Sequence, residues 1–515
     1  MIAVLDFGSQ YTQLIARRLR SQGFFAEVLP GRLTAAEVLA KNPTGIILSG
    51  SPASVGQGHD PDPALLHAPV PVLGLCFGYQ FMAKTLGGTV QQSTHREYGA
   101  AELQKTAAGK LDPLTAKLSP RTQAWMSHGD SVTALPPGAE LLLTSGGKPA
   151  AFAMPGRRLW GLQFHPEVYH TPEGKVLLTA FARDICHNQP DWSLRTQLQD
   201  VQDSLRRELK DDTEIVCAVS GGVDSTVMAV LLSQVTKVRA LFVDHGFLRA
   251  YDLPNLKRVF SHYPGIQLEV VDAREHFWAA LQGVSDPEQK RKLIGRLFVE
   301  TFSRHVGAAQ FSHLAQGTIY SDVIESAMPG DTHGSGSNGS PSHTIKSHHN
   351  VGGFPADFKV KLVEPLRRFF KDEVRELGAL LGIDHEILHQ HPFPGPGLAI
   401  RCLGELTQPR IDILRRADAV FYEELVRRHL YHQTWQAFVV LLPVRSVGVM
   451  GDSRSYEYVA AIRAVSSVDA MTAEVTELPF ADLKAIAARL ISEVPGINRV
   501  VFDLTSKPPG TIEWE

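Results

Sequence analysis

Twice in this chain a short run of sheet-interior residues ends in a glycine-bearing turn and reopens as a helix: PVLGLCFGYQ at 71–80 and IVCAVSGGVDST at 215–226. A buried strand feeding a helix through a tight turn is how a βαβ unit begins. In a chain of 515 residues, two such openings set far apart predict separate α/β units. Around the first, residues 2–5, 45–48 and 70–75 read as buried strands, with helical patterns at 11–22 and 79–86. Segments 101–105, 139–144 and 159–163 read as strands with tighter connections, so this sheet is expected to be mixed. Around the second, strands at 215–219, 238–243 and 267–271 alternate with helices, the pattern of a doubly wound parallel sheet.

The expected organisation is α/β and multidomain. Residues 1–187 form the first α/β domain, 188–213 a helical linker, 214–390 the second α/β domain, and 391–515 a small α+β domain. The last opens on HPFPGPGLAIR (391–401), a proline- and glycine-rich turn, followed by helices at 411–428 and 481–494 and strands at 437–443 and 499–503. Residues 329–343 (PGDTHGSGSNGSPSH) hold too little apolar surface to fix one conformation. They read either as a surface insertion or as the tip of an active-site lid. Hydrophobic residues make up 43% of the chain and the net charge is −3, which gives no bulk reason to expect nucleic acid or an anionic membrane as partner. No apolar run approaches the roughly 18 residues that span a bilayer. The opening MIAVLDFGSQ lacks the basic and apolar stretches of a signal peptide. The four cysteines (Cys76, Cys186, Cys217, Cys402) form no CxxC pair, which speaks for a reduced, cytoplasmic protein.

Cys76 is the one cysteine whose neighbours suggest chemistry. It sits at the turn between strand and helix, flanked by Gly74 and Gly78, which allow a sharp elbow and a close helix approach. A helix N-terminus favours the thiolate, the form that attacks a carboxamide carbon. GLQFHPEV (161–168) supplies a base, His165, and two residues on a carboxylate, Glu167. In extended backbone, positions i and i+2 share a face, so Glu167 can orient the imidazole. The amides of Gly50, after the strand at 45–48, and of Phe77 are the candidate oxyanion hole. With these residues the chain resembles the class I glutamine amidotransferases over 1–187. The resemblance extends to REYG (96–99) and MSHGD (126–130). It implies glutamine contacts from Gln80, Ser127, His128 and Asp130.

The second turn, SGGVDST, places backbone amides and hydroxyls at a helix N-terminus, where phosphate oxygens bind. Ser220, Gly221, Gly222, Val223, Asp224, Ser225 and Thr226 make up the loop. Asp224 either holds Mg²⁺ or positions the loop. The string lacks the Walker lysine pattern and resembles the N-type ATP pyrophosphatases, which implies ATP and Mg²⁺. Further candidates are Asp244 and Arg249 after the second strand, with Asp322, Glu325 and Lys346 in segments flanking the Gly/Ser stretch. KRKLIGR (290–296) reads as a solvated basic helix face, and the histidines at 333, 343, 348 and 349 fit no usual zinc spacing.

HPFPGPGLAIR, QAFVVLLPVRSVGVMGD (436–452) and SKPPGTIEWE (506–515) resemble the C-terminal domain of the GMP synthase family. That resemblance implies xanthosine monophosphate (XMP) as acceptor, contacted by Gln436, Asp452, Lys507, Ile512 and Glu513, and a homodimer formed through this domain. Ser321 stands where that family commonly has proline, His245 where it has asparagine, and the Gly/Ser stretch is longer. A glutamine-dependent NAD synthetase or another pyrophosphatase-linked amidotransferase is the alternative the SGGVDS loop allows.

Overall fold

The computed structural model of the chain describes residues 1–209, 213–309, 311–327, 360–450, 453–467 and 472–515. These fall into two compact units: one holds 1–197 with 321–327, the other 198–320 and the described residues from 360 onward.

The first unit is built on strands β1 (Ile2–Asp6), β2 (Ala26–Pro30), β3 (Gly45–Leu48), β4 (Val72–Leu75), β5 (Thr89–Lys105), β6 (Arg121–Ala134), β7 (Glu140–Ser145), β8 (Lys148–Met154) and β9 (Leu159–Leu162). They form one nine-stranded sheet in the order β2-β1-β3-β4-β9-β8-β7-β5-β6. The half from β2 to β9 is parallel, and the half from β9 to β6 is antiparallel. The mixed sheet expected from the sequence is therefore present. Strands β3, β4 and β9 are buried at every position and read as unbroken apolar runs because both faces are covered. β5 is far longer than the expected 101–105, because its first half (TVQQSTHREYG) is polar and carries no hydrophobic period.

In the second unit β10 (Glu214–Ala218), β11 (Lys237–Asp244), β12 (Ile266–Asp272), β13 (His313–Ala315) and β14 (Lys361–Val363) form a wholly parallel sheet in the order β12-β11-β10-β13-β14. The chain leaves β10 to one side and returns to the other. The switch point thus lies at the carboxyl end of β10, where such sheets hold their ligands. A second sheet comprises β15 (Gln436–Met450), β16 (Ser453–Ser466), β17 (Glu474–Val475) and β18 (Ile497–Phe502), antiparallel except for β16 with β18. One buried cluster runs from Val243, Phe247 and Phe277 through Leu398 and Cys402 to Leu441, Ile462 and Leu490, so the two sheets share a core. Phe247 and Phe277 are fully buried in it; each contributes roughly 2–3 kcal/mol.

Candidate active sites

In the first unit, β4 ends at Leu75 and the helix Phe77–Thr85 begins two residues later. Cys76 between them has φ 51° and ψ −99°, a conformation that costs about 1–3 kcal/mol for a non-glycine residue. The fold holds it there. Its amide donates to the Leu162 carbonyl at 2.7 Å. A Cβ at Gly74 would lie 2.6 Å from the Gly78 carbonyl oxygen, and one at Gly78 would lie 2.5 Å from that of Leu48. Only two glycines let the helix seat this closely against β3 and β4.

Beyond β9, His165 Nδ1 donates to Glu167 Oε1 at 2.7 Å, with both side chains buried. The Glu167 main chain is held by Arg18, whose Nε donates to its carbonyl at 2.9 Å. Burial would discharge His165. The Glu167 carboxylate and the Cys76 sulfur, in hydrogen-bonding contact with it, outweigh burial and raise its pKa well above the ordinary value. Tyr11 packs its ring edge against the imidazole, 5.0 Å between centroids. Gly50 lies two residues beyond β3, and a Cβ there would lie 3.2 Å from the His165 ring. The Phe77 amide opens its helix and has no intrahelical acceptor.

β6 carries Ser127, His128 and Asp130 past this thiol. Cys76 Sγ lies 3.6 Å from the Ser127 carbonyl. Gln80, one helical turn beyond Cys76, donates to the Asp130 carbonyl at 2.8 Å. His128 is buried, its Nε2 3.7 Å from Glu97, and neither ring nitrogen has a hydrogen-bond partner among the described residues. Burial lowers its pKa, with Glu97 partly opposing, which favours the neutral imidazole.

In the second unit, the loop after β10 turns at Gly221, φ 78°, and enters the helix Val223–Ser233 at Gly222. Ser225 Oγ donates to the Gly222 carbonyl at 3.0 Å and Thr226 Oγ1 to the same atom at 2.9 Å. The Ser220 amide donates to Ser225 Oγ at 3.2 Å. These bonds hold the loop open around its amides. Asp224 sits in the first helical turn, where a carboxylate opposes an incoming phosphate. Lys371 offsets it, Nζ to Oδ2 at 2.5 Å. Oδ1 of Asp224 is buried without a hydrogen-bond partner, which suits a cation ligand. Gln390 braces the loop from outside, donating to the Gly221 carbonyl at 2.8 Å. Among the described residues no cluster of three or more His, Cys, Asp or Glu could hold a metal by itself.

Asp244 and Arg249 both line a cavity of about 1020 Å³ at the ends of β11 and β12, with Arg274, Trp278 and Arg415. The Arg249 guanidinium is paired with Asp252 at 2.8 Å and lies over the Phe393 ring. One sequence expectation is corrected here. Lys290 is not on a solvated face. It is fully buried, pairs with Glu515, and donates to the Cys402 carbonyl at 3.0 Å. Acceptors surround its ammonium: the Ala399 and Cys402 carbonyls and the Glu515 carboxylate.

The structure brings Gln436 and Glu513 together. Gln436 Nε2 donates to Glu513 Oε1 at 2.9 Å and to the Pro392 carbonyl at 3.1 Å. Buried Arg401 grips Glu513 through both oxygens, at 2.8 and 3.1 Å, and lies 4.0 Å over the Phe438 ring. Arg463, fully buried, ties down the same tail through Asp503 at 3.2 Å and the Thr511 carbonyl at 3.1 Å. Ile512 packs with Phe438 and Val440, and Lys507 pairs its backbone with Ala473. Asp322 lies on the helix Tyr320–Ala327, as does Glu325, whose side chain is outside the described residues. Lys346, Asp452, the Gly/Ser stretch and its histidines also lie outside the described residues. Sequence reasoning did not single out Lys371, Gln390, Gln163 or Arg401 as functional, since nothing local marks them; each acquires its place from partners distant in sequence.

Three family models match the chain: glutamine amidotransferase class-I at residues 3–185, asparagine synthase at 197–287, and GMP synthase C terminal domain at 423–514. Among curated relatives, the glutamine-hydrolysing GMP synthase of Rhodopseudomonas palustris is 48% identical over 522 residues, covering 100% of this chain and 95% of the relative. That of Phenylobacterium zucineum is 49% identical over 520 residues, covering 100% and 98%. That of Rhizobium etli is 48% identical over 522 residues, covering 100% and 98%.

Proposed function

We propose, for a chain that belongs to the family of glutamine-hydrolysing GMP synthases, a division of labour in which residues 1–187 release ammonia from glutamine, 214–390 activate XMP with ATP, and 391–515 hold the XMP. The observation that carries it is one chain holding both a strained Cys76 beside a His165–Glu167 pair at 2.7 Å and an SGGVDST loop at the end of a parallel strand.

The chemistry follows from the residues. Cys76 attacks the glutamine carboxamide carbon, and the amides of Gly50 and Phe77 receive the charge that develops on oxygen. His165, held by Glu167, delivers a proton to the departing ammonia. Gln80, Ser127, His128 and Asp130 line the glutamine pocket. At the second centre the amides and hydroxyls of residues 220–226 cradle the pyrophosphate of ATP. The XMP carbonyl oxygen attacks the α-phosphorus and pyrophosphate leaves. Ammonia then displaces AMP to give GMP. Asp224 Oδ1 is the described group best suited to hold Mg²⁺, which when bound neutralises pyrophosphate charge; Lys371 supplies fixed positive charge beside it. Lys507 suits the XMP phosphate, and Glu513, fixed by Arg401, suits ring or ribose donors. Asp452, Lys346, Asp322 and Glu325 remain part of the proposal.

A homodimer through the second sheet is supported by exposed Val444, Val447, Val449 and Tyr456 on one ribbon. A cytoplasmic location fits four free cysteines, and among the described residues no helix is long and apolar enough to cross a membrane. The test is product analysis with XMP and ATP, supplying first glutamine and then ammonium. GMP, AMP and pyrophosphate in equal amounts are expected from both; turnover of nicotinate adenine dinucleotide in place of XMP would overturn the assignment.

A further inference from the structure

We propose that Gln163 is a positioning residue for the nucleophile: it holds the Cys76 sulfur in its anionic form while His165 carries the proton. This deepens the reading of Cys76 as nucleophile and rests on it. Gln163 directly follows β9, two residues before His165, and is 3% exposed. Its Nε2 lies 4.0 Å from Cys76 Sγ, within the longer reach of a sulfur acceptor. The orientation of its amide is set by a chain of donors. The Asp130 carbonyl can only accept, so Gln80 turns its NH₂ toward it at 2.8 Å. The same NH₂ lies 3.4 Å from Gln163 Oε1, which fixes Oε1 as the inward acceptor and turns Nε2 to the sulfur.

The two contacts of the sulfur suit different protonation states. The Ser127 carbonyl at 3.6 Å accepts from a thiol and repels a thiolate. The Gln163 N–H does the reverse, and a donor to an ionised acceptor counts for more than one to a neutral group. When the Sγ–H bond breaks and His165 takes the proton, the electron pair left on sulfur meets one side-chain amide donor among the described residues, Gln163. The titratable groups around this sulfur are His165 and Glu167 after β9, His128 and Asp130 on β6 with Glu97 on β5 behind them, and Tyr11 and Arg18 at the start of and within the helix Thr12–Arg20. Gln163 adds a dipole to this set without adding a charge.

The test is the pH dependence of Cys76 alkylation by iodoacetamide in the full-length protein, read by mass spectrometry, in Gln163→Leu and Gln163→Glu. Ammonium-supported GMP formation serves as the check on folding. The midpoint of alkylation should rise by about one pH unit in Gln163→Leu and further in Gln163→Glu, which sets an acceptor against the sulfur. The glutaminase kcat should fall roughly ten- to a hundredfold with KM for glutamine little changed. Unmoved midpoints in both variants, or an equal loss of ammonium-supported activity, would overturn the proposal. If alkylation of Cys76 in the wild type leaves glutamine use intact, the nucleophile assignment itself fails, a result distinguishable from failure at Gln163 alone.

Discussion

The two strand-to-helix turns look alike in sequence and are built on opposite principles. At Cys76 the turn is strained, sealed and already wired: Cys76 is 5% exposed, His165 3% and Glu167 1%. At 220–226 the turn is relaxed and open: Ser220 is exposed, and the hydroxyls bond to one another and to backbone. The difference follows from what each must stabilise. A thiolate is a soft nucleophile made by moving one proton, which needs a dry, fixed relay. A pyrophosphate arrives with its charge and needs free amides at a helix end, with a cation near. The first centre stores backbone strain at Cys76, and each centre keeps a buried polar atom without a hydrogen-bond partner among the described residues, Glu167 Oε2 in the first and Asp224 Oδ1 in the second.

Substitutions that disable one turn and spare the other sharpen this contrast. Glu167→Gln keeps the shape of the relay and removes the charge that holds the proton on His165. Initial rates with glutamine should fall roughly 10²- to 10⁴-fold while rates with ammonium persist; equal losses with both donors would erase the distinction. Asp224→Ala should cut AMP and pyrophosphate release on the order of 10²- to 10³-fold with either donor, leaving glutamate release from glutamine measurable. Lys371→Met, removing one fixed charge beside the loop, should raise KM for ATP about tenfold with a smaller change in kcat.

The smallest effect separates the units by pH. Burial pushes His245 and His391 down to about 4. His391 is neutral by design: it donates to the Tyr431 carbonyl at 2.8 Å and accepts from the Ala437 amide at 3.2 Å. In the unfolded chain such histidines take up protons near pH 6.5. Their stabilising effect is therefore present above about pH 6.5 and is lost as pH falls toward 4, on the order of 3 kcal/mol for each. His165 runs the other way. Its raised pKa contributes below its unfolded value and fades as pH climbs through the folded one. Hydrogen exchange followed from pH 7 to 4 should loosen the second unit first, and His391→Asn should flatten that loss; uniform loosening would contradict it.

Much of this was legible in the sequence for a simple reason. Strands β1, β3, β4 and β10 are nearly all apolar, and the turns that follow two of them carry unusual glycine, cysteine and serine residues. The polar ribbon β5–β6 had no such signature, so most of the sheet edge carrying Ser127, His128 and Asp130 was invisible as strand. The buried cations were missed or misread for a related reason. Lys290, Arg249, Arg401 and Arg463 look like surface charge in a local window, and their carboxylate partners at 515, 252, 513 and 503 are mostly far away in sequence. Burial of a charge is a property of the pair, and the pair is made only by the fold.

The central claim is that glutamine is opened at Cys76 while acceptor activation proceeds at a separate centre. It is tested most directly by GMP formation from XMP and ATP in Cys76→Ala, assayed with glutamine and with ammonium. The account predicts loss of glutamine-driven synthesis by at least about 10⁴-fold with ammonium-driven synthesis near wild type. Retained glutamine-driven synthesis in that variant would contradict it.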